Sequence, residues 1–297
     1  MKPASAFKIV FIVALVAAAG GGFFYQYERA PESSPVSRGA HLATTAGCFA
    51  CHGLGAEDPR TNYRLGSNDA WRSRGIDPIW EEGLLEADEV IEWITHGVPE
   101  RRRERHQQLL LRMPAYGDDG HLSPREINDI AAWSLAEAVR RSHRPARFEP
   151  LPDVAAVAAL SDDDLIRRGD ALARDSGCYQ CHGELGQGAV SNLASFKGYI
   201  PGFQGDDFLA LTADGDREEV RYWIEHGRGR ALESGPLGGL ASRYLDQQAI
   251  PMPAYADIFD DVETEILVSY LLLLNRMGPL DAQGVEALAI TLISDSE

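Results

Sequence analysis

The sequence predicts an all-α chain in which one small helical domain occurs twice in tandem behind an N-terminal apolar segment. Three observations carry that expectation. A single shift of 130 residues superposes two separate blocks of the 297-residue chain on themselves, apolar positions in several segments recur at helical spacing, and no sustained alternating run argues for a sheet. An apolar fraction of 44% and this length suffice for two domains, each with its own core.

Residues 1–30 open with Lys2 and Lys8, run uncharged and mostly apolar over positions 9–25, and end at Glu28 and Arg29, just ahead of Pro31. Such a segment directs export. Ala17-Ala18-Ala19 offers a small-x-small cleavage pattern, but the apolar run continues through Phe23 and Phe24. Its length, about 17 residues, is at the low end for crossing a bilayer. The reading adopted is an uncleaved transmembrane anchor, with a removed signal peptide as the alternative. Positive charge ahead of the run puts the remainder of the chain outside the cytoplasm.

The shift of 130 lays RGAHLATTAGCFACHG (38–53) on RGDALARDSGCYQCHG (168–183), and EVIEWITHG (89–97) on EVRYWIEHG (219–227). Residues 31–146 and 160–297 are therefore read as two domains, with 147–159 as the Pro-containing linker. Beyond the second block the copies diverge. His96 to Met113 is 17 residues and His226 to Met252 is 26, so the second copy carries nine extra residues in a Gly-rich, polar stretch expected to form a loop.

Within each copy the elements read as helices. Ser161 followed by Asp164 starts the helix leading to Cys178. Ser123-Pro124-Arg125-Glu126 supplies an N-cap, a first-turn Pro and an N3 Glu ahead of Ile127, Ile130 and Trp133. Ile266, Tyr270 and Leu274 also follow helical spacing in the second copy. The formal net charge is −17, divided as +2 over 1–30, −4 over 31–150 and −15 over 151–297. Such a balance excludes nucleic acid as a partner, because phosphate binding draws on clustered Lys and Arg. The one dense basic run, RRRER at 101–105, is read as solvated surface, with the carboxylates of a bound cofactor or a docking partner as the alternative.

All four cysteines fall in two CxxCH motifs, Cys48-x-x-Cys51-His52 and Cys178-x-x-Cys181-His182. This is the signature of c-type haem attachment. Two thiols add to the two vinyl groups on one edge of the porphyrin, and the next residue then lies under the iron, so His52 and His182 are the candidate proximal ligands. A zinc site would need a fourth ligand in each copy, and a redox CxxC would expect a βαβ context that is missing. A disulfide within either pair is geometrically poor.

The tetrapeptide MPAY occurs twice, at Met113-Pro114-Ala115-Tyr116 and Met252-Pro253-Ala254-Tyr255, in a chain with only four methionines. A haem held by one His has a sixth position that a thioether can fill, so Met113 and Met252 are the candidate distal ligands. Met277 has no counterpart and reads as packing. His96 and His226 are matched rivals. Gly97 and Gly227 follow them and suggest helix C-termini, where a positive imidazole is favoured by the dipole.

Together these motifs resemble class I cytochrome c, twice over, across most of 36–140 and 163–277. The resemblance implies an N-terminal helix ending at CxxCH, a Met loop, and a last helix crossing the first. It also implies a Gly and an apolar residue of the first helix against an aromatic of the last: Gly39 and Leu42 with Trp133, Gly169 and Leu172 with Tyr270. The family's Pro-Asn-Leu-like stretch is matched by Ser191-Asn192-Leu193 in copy two and has no clear match in copy one. The tail, 278–297, falls outside the pattern. The implied cofactors are two covalently attached haem c groups, and the implied function is electron transfer between redox protein partners of a respiratory chain. The alternatives are a two-haem enzyme such as a cytochrome c peroxidase, which needs one open iron, and a fixed haem subunit of a membrane oxidase or dehydrogenase complex.

Overall fold

The computed structural model describes residues 34–52, 61–63, 70–72, 86–106, 113–142, 148–188, 190–192, 194–195, 197–235 and 238–293. The predicted anchor, 1–30, lies outside them. Among the described residues no helix is long and apolar enough to cross a membrane.

The first half runs α1 (Pro35–Thr45), α2 (Phe49–His52), a hairpin of β1 (Thr61–Tyr63) and β2 (Ala70–Arg72), α3 (Ala87–His96), α4 (Glu100–His106) and α5 (Pro124–Ser142). Ser34 caps α1 by accepting the Ser37 N–H, with Pro35 at the first helical position. At the head of α5, Glu126 accepts the Ser123 N–H and hydroxyl at 2.8 and 2.7 Å, the capping box expected there.

α1 crosses α5 where Gly39 stands. A Cβ at that position would lie 1.9 Å from the Asp129 carbonyl oxygen and 2.8 Å from Trp133 Cβ, so only glycine lets the two backbones approach this far. Arg38, next to it, donates through Nε and Nη2 to both oxygens of buried Asp129 at 2.8 and 2.6 Å.

The second half begins with α6 (Val154–Val157), inside the predicted linker. Val157 is buried and α6 packs on the last helix of this half, so the segment adheres to the second core. Then follow α7 (Asp162–Asp175), α8 (Cys178–His182), a 3-10 turn (Glu184–Gly186), paired β3 (Val190–Ser191) and β4 (Tyr199–Ile200), α9 (Asp206–Leu211) and α10 (Arg217–His226). α11 (Arg230–Ser234), α12 (Gly238–Gln247) and α13 (Asp261–Met277) complete it. α7 crosses α13 at Gly169, whose added Cβ would lie 2.2 Å from Tyr270 Cγ.

One expectation needs correction. The stretch that makes the second copy longer is largely helical, as α11 and α12, rather than an open loop. Gly238 permits the two to pack, since a Cβ there would lie 1.8 Å from the Glu233 carbonyl oxygen.

The tail folds as α14 (Ala282–Ile293) and packs against α3, α5 and α7, so it touches both halves. Leu280, Ala282, Val285, Leu288 and Ala289 are buried there. Glu286 accepts the Ala87 N–H at 2.9 Å, meeting an unpaired donor at the start of α3. A second contact lies close to the CxxCH of the second half. Ser34 donates its hydroxyl to the Gln187 carbonyl at 3.0 Å and Ser37 to the Gly188 carbonyl at 2.8 Å.

Candidate functional site

Each CxxCH lies on a short helix directly after the first long helix of its half, with Cys48 and Cys178 at the turn and His52 and His182 as the last residues. All four cysteines are partly buried and none forms a disulfide. Burial pushes the Cys48 thiol up, and that of Cys178 up to about 11, so both are protonated before any reaction.

The second half brings its predicted residues together. One apolar cavity is lined by Cys178, His182 and Met252, with Phe203, Ile224, Leu267 and Leu271 as walls and Tyr255 and Phe259 stacked on each other beside it. Cys181 is on the same helical turn as His182 but is not among the lining residues.

His182 is fully oriented by its neighbours. Its Nδ1 lies 2.7 Å from the Pro201 carbonyl oxygen, which makes Nδ1 the protonated nitrogen and leaves Nε2 as the free donor. Phe203 lies against the ring with centroids 4.7 Å apart. Burial holds the imidazole below its ordinary pKa, against the pull of the Pro201 bond, so the ring is neutral at neutral pH, as a metal ligand must be. The acceptor is the Pro201 backbone carbonyl, which no residue type announces.

The MPAY segments are held identically. The Tyr116 N–H donates to Ile94 O at 3.1 Å and the Tyr255 N–H to Ile224 O at 3.0 Å. The Tyr116 hydroxyl donates to Ala46 O at 3.0 Å and the Tyr255 hydroxyl to Ser176 O at 3.1 Å, each carbonyl two residues ahead of the first CxxCH cysteine. The tyrosine thus ties the methionine loop to the thiol loop, a role sequence reasoning left unassigned. Gly97 and Gly227 end α3 and α10 with positive φ of 72° and 69°. An added Cβ on either would lie 2.3 Å from the carbonyl oxygen of Met113 or Met252. Glycine is therefore required twice over at this point.

His96 and His226 sit at the exposed C-terminal ends of their helices. His96 Nδ1 meets Asp118 at 2.8 Å, while His226 stacks on Tyr222 and faces the Tyr222 carbonyl at 3.2 Å. Both are engaged away from the cavity. The basic run is engaged on the surface: Arg101 pairs with Glu89 and Glu92, and Arg102 with Glu89.

In the first half Cys48 and Met113 are partly buried and pack on the core, and the Tyr116 tie is in place. Residues 53–60 and 107–112, which flank His52 and Met113 in sequence, are outside the described residues.

The donor set of the second half fits a haem c: two thiols on one short helix, one of them lining the cavity, a neutral imidazole with Nε2 free, a thioether, and apolar walls. Among the described residues no three His, Cys, Asp or Glu side chains converge as a metal site. The comparison with protein families agrees for the first half. Residues 34–133 match the family described as cytochrome c oxidase, cbb3-type, subunit III. The match supports a cytochrome c domain over that segment, which implies covalently bound haem c and supports a part in electron transfer. Comparison with curated proteins and with solved structures gives no match.

Proposed function

We propose that the chain is a dihaem electron carrier, with His52 and Met113 as axial donors in the first half and His182 and Met252 in the second. The observation that carries this reading is the apolar cavity where Cys178, His182 and Met252 meet. The same CxxCH and tyrosine-tied MPAY segments frame the matched domain at 34–133.

A haem held there supplies a one-electron couple. The chain's own residues do the rest. Cys178 and Cys181 anchor, as Cys48 and Cys51 do in the first half. Pro201 fixes the His182 tautomer and raises its basicity. Phe203, Ile224, Leu267 and Leu271 exclude water, and Met252 contributes a thioether that raises the reduction potential. With methionine in both copies neither half offers an open position, which favours a carrier over a peroxidase-like enzyme. Ser34, Ser37 and α14 hold the two halves against each other, the condition for exchange between two centres.

A second reading has its own support. The matched family is named for an oxidase subunit, which favours a place in a membrane oxidase complex, on the periplasmic side and attached through residues 1–30. The acidic second half would steer a basic partner, and rates with that partner would then fall steeply with salt.

The test is the haem-to-protein ratio of exported protein, followed by visible spectra of the reduced form with and without carbon monoxide. Two haems and no response to carbon monoxide are expected. One haem would refute the dihaem reading, and a response would refute the assignment of a methionine in the half that reacts.

A further inference from the structure

Met252 reaches the second cavity from a segment without regular structure, as Phe203, Tyr255 and Phe259 also do, so something must fix that segment. Downstream, Tyr255 does so. Upstream, the structure shows a second clamp. Asn192, 2% exposed, lies 58 residues before Ile250 in sequence, next to β3. Its Oδ1 accepts the Ile250 N–H at 2.9 Å, and its Nδ2 donates to the Ile250 carbonyl at 3.0 Å. Both backbone groups of one residue are thus captured by one amide. The Asn192 N–H is itself anchored on the Gly198 carbonyl at 2.9 Å, across the β3–β4 hairpin.

Between this clamp and Met252 there is only Pro251. Its ring fixes φ near −65° and restricts Ile250 to extended backbone. Pro253 restrains the other side, and the Met252 carbonyl is seated against Gly227. With Ile250 captured, little torsional freedom remains to move the Met252 side chain.

We propose that Asn192 is a positioning residue for Met252: it sets the thioether at the cavity and keeps the loop from swinging outward. The proposal rests on the reading of Met252 as an axial donor.

The experiment compares the haem-loaded full chain with Asn192→Ala and Met252→Ala. It measures the near-infrared charge-transfer band of sulfur-ligated ferric haem, the two reduction potentials and carbon monoxide binding. Met252→Ala is expected to abolish one haem's share of the band. Asn192→Ala is expected to weaken that same share, lower the potential of the same haem and admit carbon monoxide there, with the haem-to-protein ratio unchanged. If Met252→Ala leaves the band intact, the ligand reading fails. If Met252→Ala removes it and Asn192→Ala leaves band and potential unaltered, the clamp is refuted. Should Asn192→Ala not fold, Asn192→Asp keeps an acceptor for the Ile250 N–H but sets a carboxylate against its carbonyl. A partial loss of the band is then expected, and an unaltered band and potential overturn the proposal.

Discussion

The two halves close the same helix crossing with different chemistry. In the first, Gly39 admits α5 to within van der Waals contact, Phe49 meets Trp133 edge-on at 5.6 Å, and the polar element is the bidentate Arg38–Asp129 pair at the rim. In the second, Gly169 admits Tyr270, and Tyr179 stands where Phe49 does. Its hydroxyl meets that of Tyr270 at 2.6 Å and donates to Asp170 at 2.8 Å. Arg174 joins the cluster, pairing with Asp170 at 2.8 Å and Glu184 at 2.5 Å and lying over the Tyr179 ring. Burial raises both phenol pKa values and keeps these tyrosines neutral, and it pushes the Glu184 carboxyl upward against the pull of Arg174. The glycine that sets the backbone approach is common to both. The electrostatic surroundings differ, and a charged cluster buried a few residues from one thiol pair is a means of giving two like centres unlike potentials.

The largest expected effect breaks what the halves share. Gly39→Val or Gly169→Val puts a branched side chain where even a Cβ lies 1.9 or 2.2 Å from its neighbour. Overpacking of this kind costs about 3 kcal/mol, and here the helices must part. Each variant should lose one haem per chain, read as the haem-to-protein ratio. A variant that keeps both would show that the crossing is not what holds the cavity open.

Next in size is the feature that separates the halves. Asp170→Ala leaves Arg174, with a side chain 13% exposed, facing Glu184 alone, and breaking a buried charged cluster costs about 3–5 kcal/mol. Arg38→Ala strands Asp129, but Arg38 is 26% exposed and water can reach the site, so about 1–2 kcal/mol is expected. Chemical denaturation of the two variants measures the difference. Equal losses would mean that the second half's cluster is no more buried in solution than the first half's pair.

Tyr116→Phe and Tyr255→Phe should then act alike. Each removes one hydrogen bond and leaves the Ala46 or Ser176 carbonyl without its donor, at about 1 kcal/mol. The spectroscopic effect should divide the halves. Met252 lies between two prolines and below Asn192, whereas Arg112 stands where Pro251 does, so carbon monoxide should enter the first half of Tyr116→Phe more readily than the second half of Tyr255→Phe.

Much of this was legible in the sequence because it is written in residue types. The thiol spacing, the paired methionines, the glycine against an aromatic in each crossing and the Ser123 and Ser161 caps all use side chains with few substitutes. What escaped is carried by backbone or by the meeting of distant segments. Pro201 acts through its carbonyl, Asn192 through an amide aimed at residue 250, and α14 through an apolar face whose partners lie in both halves. Spacing alone reports none of these. The nine extra residues misled for the opposite reason: glycine there serves close packing of α11 on α12, not looseness.

The smallest expected effect tests whether α5 and α13 begin alike. Ser123 with Glu126, and Asp260 with Glu263, both form reciprocal caps, and the Asp260 carboxylate accepts the Val262 and Glu263 N–H groups at 2.9 and 2.8 Å. Ser123→Ala and Asp260→Ala should each cost about 1 kcal/mol in thermal or chemical unfolding. Their pH dependence gives a finer comparison. The Ser123 N–H and hydroxyl hold the Glu126 carboxyl below its ordinary value, so this carboxylate's contribution is present above the unfolded value and lost as pH falls through the folded one. Glu126→Gln should therefore flatten the acid limb of the stability curve slightly, while keeping a side chain that reaches the same backbone donor. An acid limb identical to that of the parent would mean that the cap at α5 is held by Ser123 alone.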